Sequence, residues 1–66
     1  MLVRINGTKC HLEPLTTIGT FLEKNGLAPE TVVVELNGGI IATQAYASTE
    51  IREQDCLEVL TFVGGG

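Results

Sequence analysis

The sequence predicts an α+β fold: a mixed sheet of four to five strands with one main helix on one face. Three observations lead to this prediction. Alternating apolar and polar residues mark strands at both ends and in the middle of the chain. One short segment, residues 18–24, carries apolar residues at helical spacing. The chain has 66 residues and a hydrophobic fraction of 44%, which suits one small domain with a packed core.

A hairpin is predicted at the start of the chain. Residues 1–6 alternate, which places Val3 on the core face of a strand. Asn6-Gly7 then favours a tight turn, because both residues tolerate a positive φ. The return strand, residues 9–13, ends at Pro14, which has no N–H to donate to a neighbouring strand.

A short helix follows the hairpin. Thr16 or Thr17 can cap its first turn, and residues 18–22 place apolar side chains at helical intervals. Asn25-Gly26 suits the left-handed conformation that commonly ends a helix. We therefore expect a helix of roughly two to three turns.

The middle of the chain predicts a second pair of strands. Residues 31–37 are rich in β-branched side chains, and Glu35 marks the face that meets water. A tight turn at residues 37–39 leads to a short strand at residues 40–42.

The last strand is predicted at residues 56–62, after a connection with a mixed signal in which we expect one helical turn around Tyr46. Glu58 is unsuited to burial without a partner, so its neighbours Leu57 and Val59 are expected in the core.

The order of these elements predicts the sheet topology. One helix can cover only one face of such a sheet, and the crossover through it suits a mixed sheet with the terminal strand in the middle. This is the β-grasp arrangement. We expect residues 1–63 to form this domain and residues 64–66 to form a flexible glycine tail.

The composition excludes several function classes. A formal net charge of −4 argues against binding nucleic acid, which needs clustered basic residues. No apolar run approaches the ~20 residues that span a membrane, so a cytoplasmic protein is expected. Cys10 and Cys56 are too few for a metal site, and His11 points away from Cys10 on a strand. The acidic residues are scattered and predict no paired-carboxylate site.

The end of the chain is its most unusual stretch. Three glycines, Gly64, Gly65 and Gly66, follow Val63. They remove every side chain around the terminal carboxylate and leave it on a narrow arm. Such an arm can pass through a narrow channel in a partner enzyme and present its carboxyl carbon to a nucleophile. A loose terminus or an expression remnant is the alternative interpretation.

Four features carry a family resemblance: a first strand ending in Asn6, residues 34–41, residues 55–60 and residues 63–66. Together they resemble the ThiS family, the sulfur carriers of thiamin biosynthesis and β-grasp relatives of ubiquitin. The turn before the last strand is commonly Gly-Asp in that family and is Gln54-Asp55 here. The family often has a basic residue just after the fourth strand, whereas this chain has Thr43 or one of its neighbours at that place.

The resemblance implies a chemical role for Gly66. A ThiF-like adenylyltransferase would use ATP and Mg²⁺ to convert its carboxylate to an acyl-adenylate. A sulfur donor such as a cysteine desulfurase would then displace AMP. The resulting thiocarboxylate would give its sulfur to a ThiG-like thiazole synthase. The chain has no Gly-rich loop followed by Lys and Ser or Thr, so we expect a protein cosubstrate that is not an enzyme and binds no cofactor itself.

A docking surface is predicted on the face of the sheet opposite the helix. Strand alternation sends Leu2, Val33, Leu60 and Phe62 to that face, leading towards Val63 and the tail. A contiguous apolar patch commonly marks an interaction site. Cover by a loop, or packing in a homodimer, is the alternative.

Two other functions fit the same pattern. The first is a sulfur carrier for molybdopterin synthesis. The second is a ubiquitin-like interaction or conjugation module, in which Gly66 would form an isopeptide bond with a lysine.

Overall fold

The alternating segments form five strands and the helical segment forms one helix in the computed structural model, which describes residues 1–62. In chain order these elements are β1 (Leu2–Ile5), β2 (Thr8–His11), α1 (Ile18–Lys24), β3 (Val32–Leu36), β4 (Gly39–Ile41) and β5 (Cys56–Thr61). Two short 3₁₀ helices, Pro29–Thr31 and Thr43–Ser48, lie in the connections. No helix in this part of the chain is long and apolar enough to cross a membrane.

The five strands form one mixed sheet in the order β2-β1-β5-β3-β4. β1 and β5 are parallel, whereas the other neighbours are antiparallel. The last strand therefore lies in the middle of the sheet, as the crossover rule predicts. The predicted α+β architecture is confirmed.

Both Asn-Gly pairs form the predicted tight turns. Asn6 and Gly7 have φ angles of 50° and 84°, and Asn37 and Gly38 have φ angles of 51° and 89°. These left-handed conformations are open to glycine and, among other residues, most readily to asparagine. The turns join β1 to β2 and β3 to β4.

Helix α1 begins and ends at the residues that favour caps. Thr17 is the N-cap, because its hydroxyl oxygen accepts a hydrogen bond from Thr20 N–H at 3.1 Å. At the other end Gly26 has a φ of 70°, and Leu27 N–H donates to the carbonyl oxygen of Leu22 at 2.9 Å. This geometry turns Leu27 back onto the core.

The core lies between the inner face of the sheet and α1. Its buried hydrophobic residues are Val3, Ile18, Leu22, Val32, Val34, Tyr46, Ile51, Leu57 and Val59. The inward positions predicted from alternation in β3 and β5 are confirmed, since Val34 and Leu57 are at most 1% exposed.

The connection before β5 is more ordered than the sequence indicates. The predicted turn around Tyr46 is a six-residue 3₁₀ helix, and Tyr46 is buried within it. Ile51, which no periodic pattern marks, is also buried. Its N–H donates to the carbonyl oxygen of Thr16 at 2.9 Å, and Ile18 N–H donates to Thr49 at the same distance. These long-range bonds hold the connection against the start of α1.

Candidate functional site

The predicted site has two parts, the terminal tail and an apolar surface beside it. Val63, Gly64, Gly65 and Gly66 lie outside the described residues, so the predictions for them stay predictions. Phe62, the last described residue, donates its N–H to the carbonyl oxygen of Thr31 at 3.2 Å. The chain is thus held beside the start of β3 immediately before the tail.

Three of the predicted apolar residues lie together near that point. Val33 and Leu60 are direct cross-strand partners in β3 and β5, and Phe62 follows two residues later on the same face. Leu60 is 55% exposed and Phe62 is 50% exposed, whereas Val33 is partly buried. We refer to Val33, Leu60 and Phe62 as the apolar patch.

Leu2 does not belong to the apolar patch. It lies on the same face by alternation, but its carbonyl oxygen accepts a hydrogen bond from Gln54 N–H at 2.7 Å, before β5 begins. Leu60 lies six residues further along the chain, or roughly 20 Å at strand spacing. The prediction of one contiguous surface is therefore wrong for Leu2, because alternation gives the face of a strand but not its register.

The register also places two glutamates directly opposite each other. Glu35 of β3 lies directly opposite Glu58 of β5, next to the Val33–Leu60 pair. On the other side Glu35 pairs with Ile40 of β4, which is 72% exposed. The expectation that the acidic residues stay scattered is wrong for this pair.

The paired carboxylates have an electrostatic consequence. Like charges directly opposite on a sheet repel each other, typically by a few tenths of a kcal/mol. A lysine or arginine on a docking partner would relieve this repulsion and steer the encounter. Sequence analysis missed both the pair and Ile40, because the two strands are distant in sequence and only their register places these side chains side by side.

The cysteines and the histidine form no comparable site. Cys10 is partly buried and packs against the core, whereas Cys56 and His11 are exposed. Within residues 1–62, no group of three His, Cys, Asp or Glu side chains could hold a metal ion.

Comparison with protein families and curated proteins gives a consistent result. The model of the ThiS family matches residues 3–66. The chain is 33% identical to the sulfur carrier protein ThiS of Bacillus subtilis over 66 residues, which cover 98% of this chain and 100% of that protein. It is 36% identical to a thiazole synthase of Magnetococcus marinus and 32% identical to one of Paramagnetospirillum magneticum. It matches these two over its full length but spans only 20% of theirs.

A solved structure shares the whole architecture. The crystal structure of a thiamine biosynthesis protein, ThiS, from Geobacter metallireducens superposes with a TM-score of 0.84 at 30% identity. The match covers 100% of both chains. The β-grasp prediction is thereby confirmed.

Proposed function

Because the chain belongs to the ThiS family, we propose that it is a sulfur carrier of thiamin biosynthesis whose reactive group is the carboxylate of Gly66. The observation that carries the proposal is the position of the apolar patch. Leu60 and Phe62 lie on the open face of the central strand, and Phe62 lies four residues before Gly66. A partner that binds the patch is therefore within reach of the tail.

The chemistry needs a partner enzyme, because a carboxylate is a poor acyl donor. An adenylyltransferase of the ThiF type would transfer AMP from ATP, with Mg²⁺, to the Gly66 carboxylate and release pyrophosphate. A sulfur donor such as a cysteine desulfurase would supply a persulfide whose terminal sulfur displaces AMP and forms an acyl disulfide, and a thiol reductant would then cleave the S–S bond of that disulfide. The product is a thiocarboxylate at the end of the chain. The chain's own contribution is to be recognised and to present its tail.

The consumer of that sulfur is a thiazole synthase of the ThiG type. Two relatives named thiazole synthase contain a segment similar to this chain within about one fifth of their length. A carrier segment within such a protein supports a functional partnership between the two. We place these steps in the cytoplasm, where ATP and reduced thiols are both available.

The tail must enter the partner's active site without hindrance. A three-residue glycine arm can pass through a channel that excludes any side chain. We therefore expect Gly65→Leu, and deletion of Gly66, to abolish adenylation while the circular dichroism spectrum stays unchanged. The measurement is exchange of labelled pyrophosphate into ATP by the purified adenylyltransferase, which requires reversible formation of the acyl-adenylate.

The matched control is Leu15→Ala, because Leu15 is a 76% exposed residue of the loop between β2 and α1. This variant should be adenylated like the wild-type chain. Normal pyrophosphate exchange with Gly65→Leu would overturn the threading argument, and normal exchange with the Gly66 deletion would overturn the assignment of the reactive group.

A further inference from the structure

Asn6 extends the contact between β1 and β5 beyond the end of β1. The strand register ends at Ile5 and Leu57, and Asn6 N–H donates to the Leu57 carbonyl oxygen at 2.9 Å. The Asn6 carboxamide then takes the place of the next peptide group. Its Oδ1 accepts from Val59 N–H at 2.8 Å, and its Nδ2 donates to the Val59 carbonyl oxygen at 3.2 Å.

This contact lies just before the point at which β5 continues past β1. The backbone groups of alternate strand residues point to the same edge, so Thr61 is the next residue that faces this side. By then the chain after Asn6 has turned away at Gly7, whose φ is 84°. Asn6 thus holds the edge of β5 three residues before Phe62.

We propose that Asn6 is a positioning residue: its carboxamide fixes the edge of β5 that faces β1, while Phe62 N–H and Thr31 fix the edge that faces β3, and the two together orient the strand that presents the residues after Phe62 to the activating enzyme. This role rests on the proposed function. Two hydrogen bonds to one residue fix both the position and the direction of the backbone. A carrier whose strand end is already fixed loses less conformational entropy when a partner binds it.

The second Asn-Gly turn provides a matched control. Asn37 has a φ of 51°, against 50° for Asn6, and also precedes a glycine in the left-handed region. Asn37 Oδ1 accepts from Cys56 N–H at 2.9 Å, and its Nδ2 donates to Asp55 Oδ1 at 3.0 Å. Asn37 therefore holds the start of the same strand, on the edge that faces β3.

The first test is amide hydrogen exchange in Asn6→Gly and Asn37→Gly. Glycine accepts the positive φ, so both changes remove the side-chain bonds and leave the turn conformation open to the chain. Protection of the Val59 amide is compared with that of Leu60, because Leu60 faces β3 and reports any general loss of stability. Asn6→Gly should lower the ratio of Val59 protection to Leu60 protection about tenfold, the size expected for one lost hydrogen bond. Asn37→Gly should change it less than about twofold.

The second test is the pyrophosphate-exchange assay, at a temperature where circular dichroism shows both variants folded. Asn6→Gly should raise the KM for the carrier about tenfold with kcat retained, because the partner must now order the strand end. Asn37→Gly should leave KM within about twofold of wild type. If Asn6→Gly does not fold, Asn6→Asp replaces it; this variant keeps the acceptor for Val59 N–H and loses the donor, and KM should rise in the same direction.

Two results would overturn the proposal: equal effects of the two glycine variants on KM, or an unchanged exchange ratio for Val59 in Asn6→Gly. If the wild-type chain supports no pyrophosphate exchange with the adenylyltransferase, the proposed function fails, and the presenting role of Asn6 fails with it. The exchange ratio, measured on the isolated chain, still shows whether Asn6 holds the strand.

Discussion

Val59 and Phe62 illustrate how the last strand and the residue after it divide between folding and recognition. Both belong to the end of the chain, but Val59 is 8% exposed in the core whereas Phe62 is 50% exposed on the open face. Loss of a buried side chain leaves a cavity and lowers stability. Loss of an exposed aromatic side chain removes a potential anchor for a partner.

We therefore expect opposite effects from two alanine variants. Val59→Ala should lower the free energy of unfolding by about 2 kcal/mol. Phe62→Ala should change it by less than about 0.5 kcal/mol and weaken binding to the adenylyltransferase at least about tenfold. Thermal unfolding and isothermal titration calorimetry measure the two quantities. A large drop in melting temperature for Phe62→Ala together with unchanged partner affinity would mean that Phe62 serves the core.

At the same scale, the sequence predicted which residues of a strand are buried only where a charged residue marked the strand's exposed face. Glu58 distinguishes the faces of β5, so Leu57 and Val59 could be assigned to the core. Ile51 could not be assigned to the core from the sequence. Its N–H is held by a hydrogen bond to the carbonyl oxygen of Thr16, a residue far away in the chain. No local pattern encodes such a contact.

At the scale of elements, strand register decides which surface residues are neighbours. Alternation correctly placed Leu2 and Leu60 on one face, but the parallel register of Arg4 with Cys56 separates them. The antiparallel register of β3 with β5 places Glu35 opposite Glu58, and alternation did not predict this pair either. Register depends on pairing between segments far apart in sequence, so periodicity alone does not determine it.

This separation gives a prediction for two leucines. Leu60→Ala should weaken binding to the adenylyltransferase by about 1 kcal/mol or more, because Leu60 lies within the apolar patch. Leu2→Ala should leave the affinity unchanged. Calorimetric titration of both variants into the same enzyme makes the comparison. An equal loss of affinity would show that the partner's contact extends along the whole of β5 to the Gln54 end.

At the scale of the whole molecule, the topology places the strand before the tail between two neighbours. β5 pairs with β3 on one edge, and on the other edge β1 and the Asn6 side chain hold it. The crossover rule and the single helix were enough to predict this central position. The sequence argument for Gly66 rests on chemistry and not on packing, because a residue without a side chain gives no periodic pattern to interpret.

Intact-mass spectrometry of the full chain tests the central claim most directly. The chain is incubated with the adenylyltransferase, ATP, Mg²⁺, a sulfur donor and a thiol reductant, and then digested to locate any change. The account predicts a mass gain equal to the replacement of one oxygen by sulfur, in the fragment that contains Gly66. An unchanged mass, under conditions in which the Bacillus subtilis carrier gains sulfur, would contradict it, as would a gain equal to the mass of a whole conjugated protein.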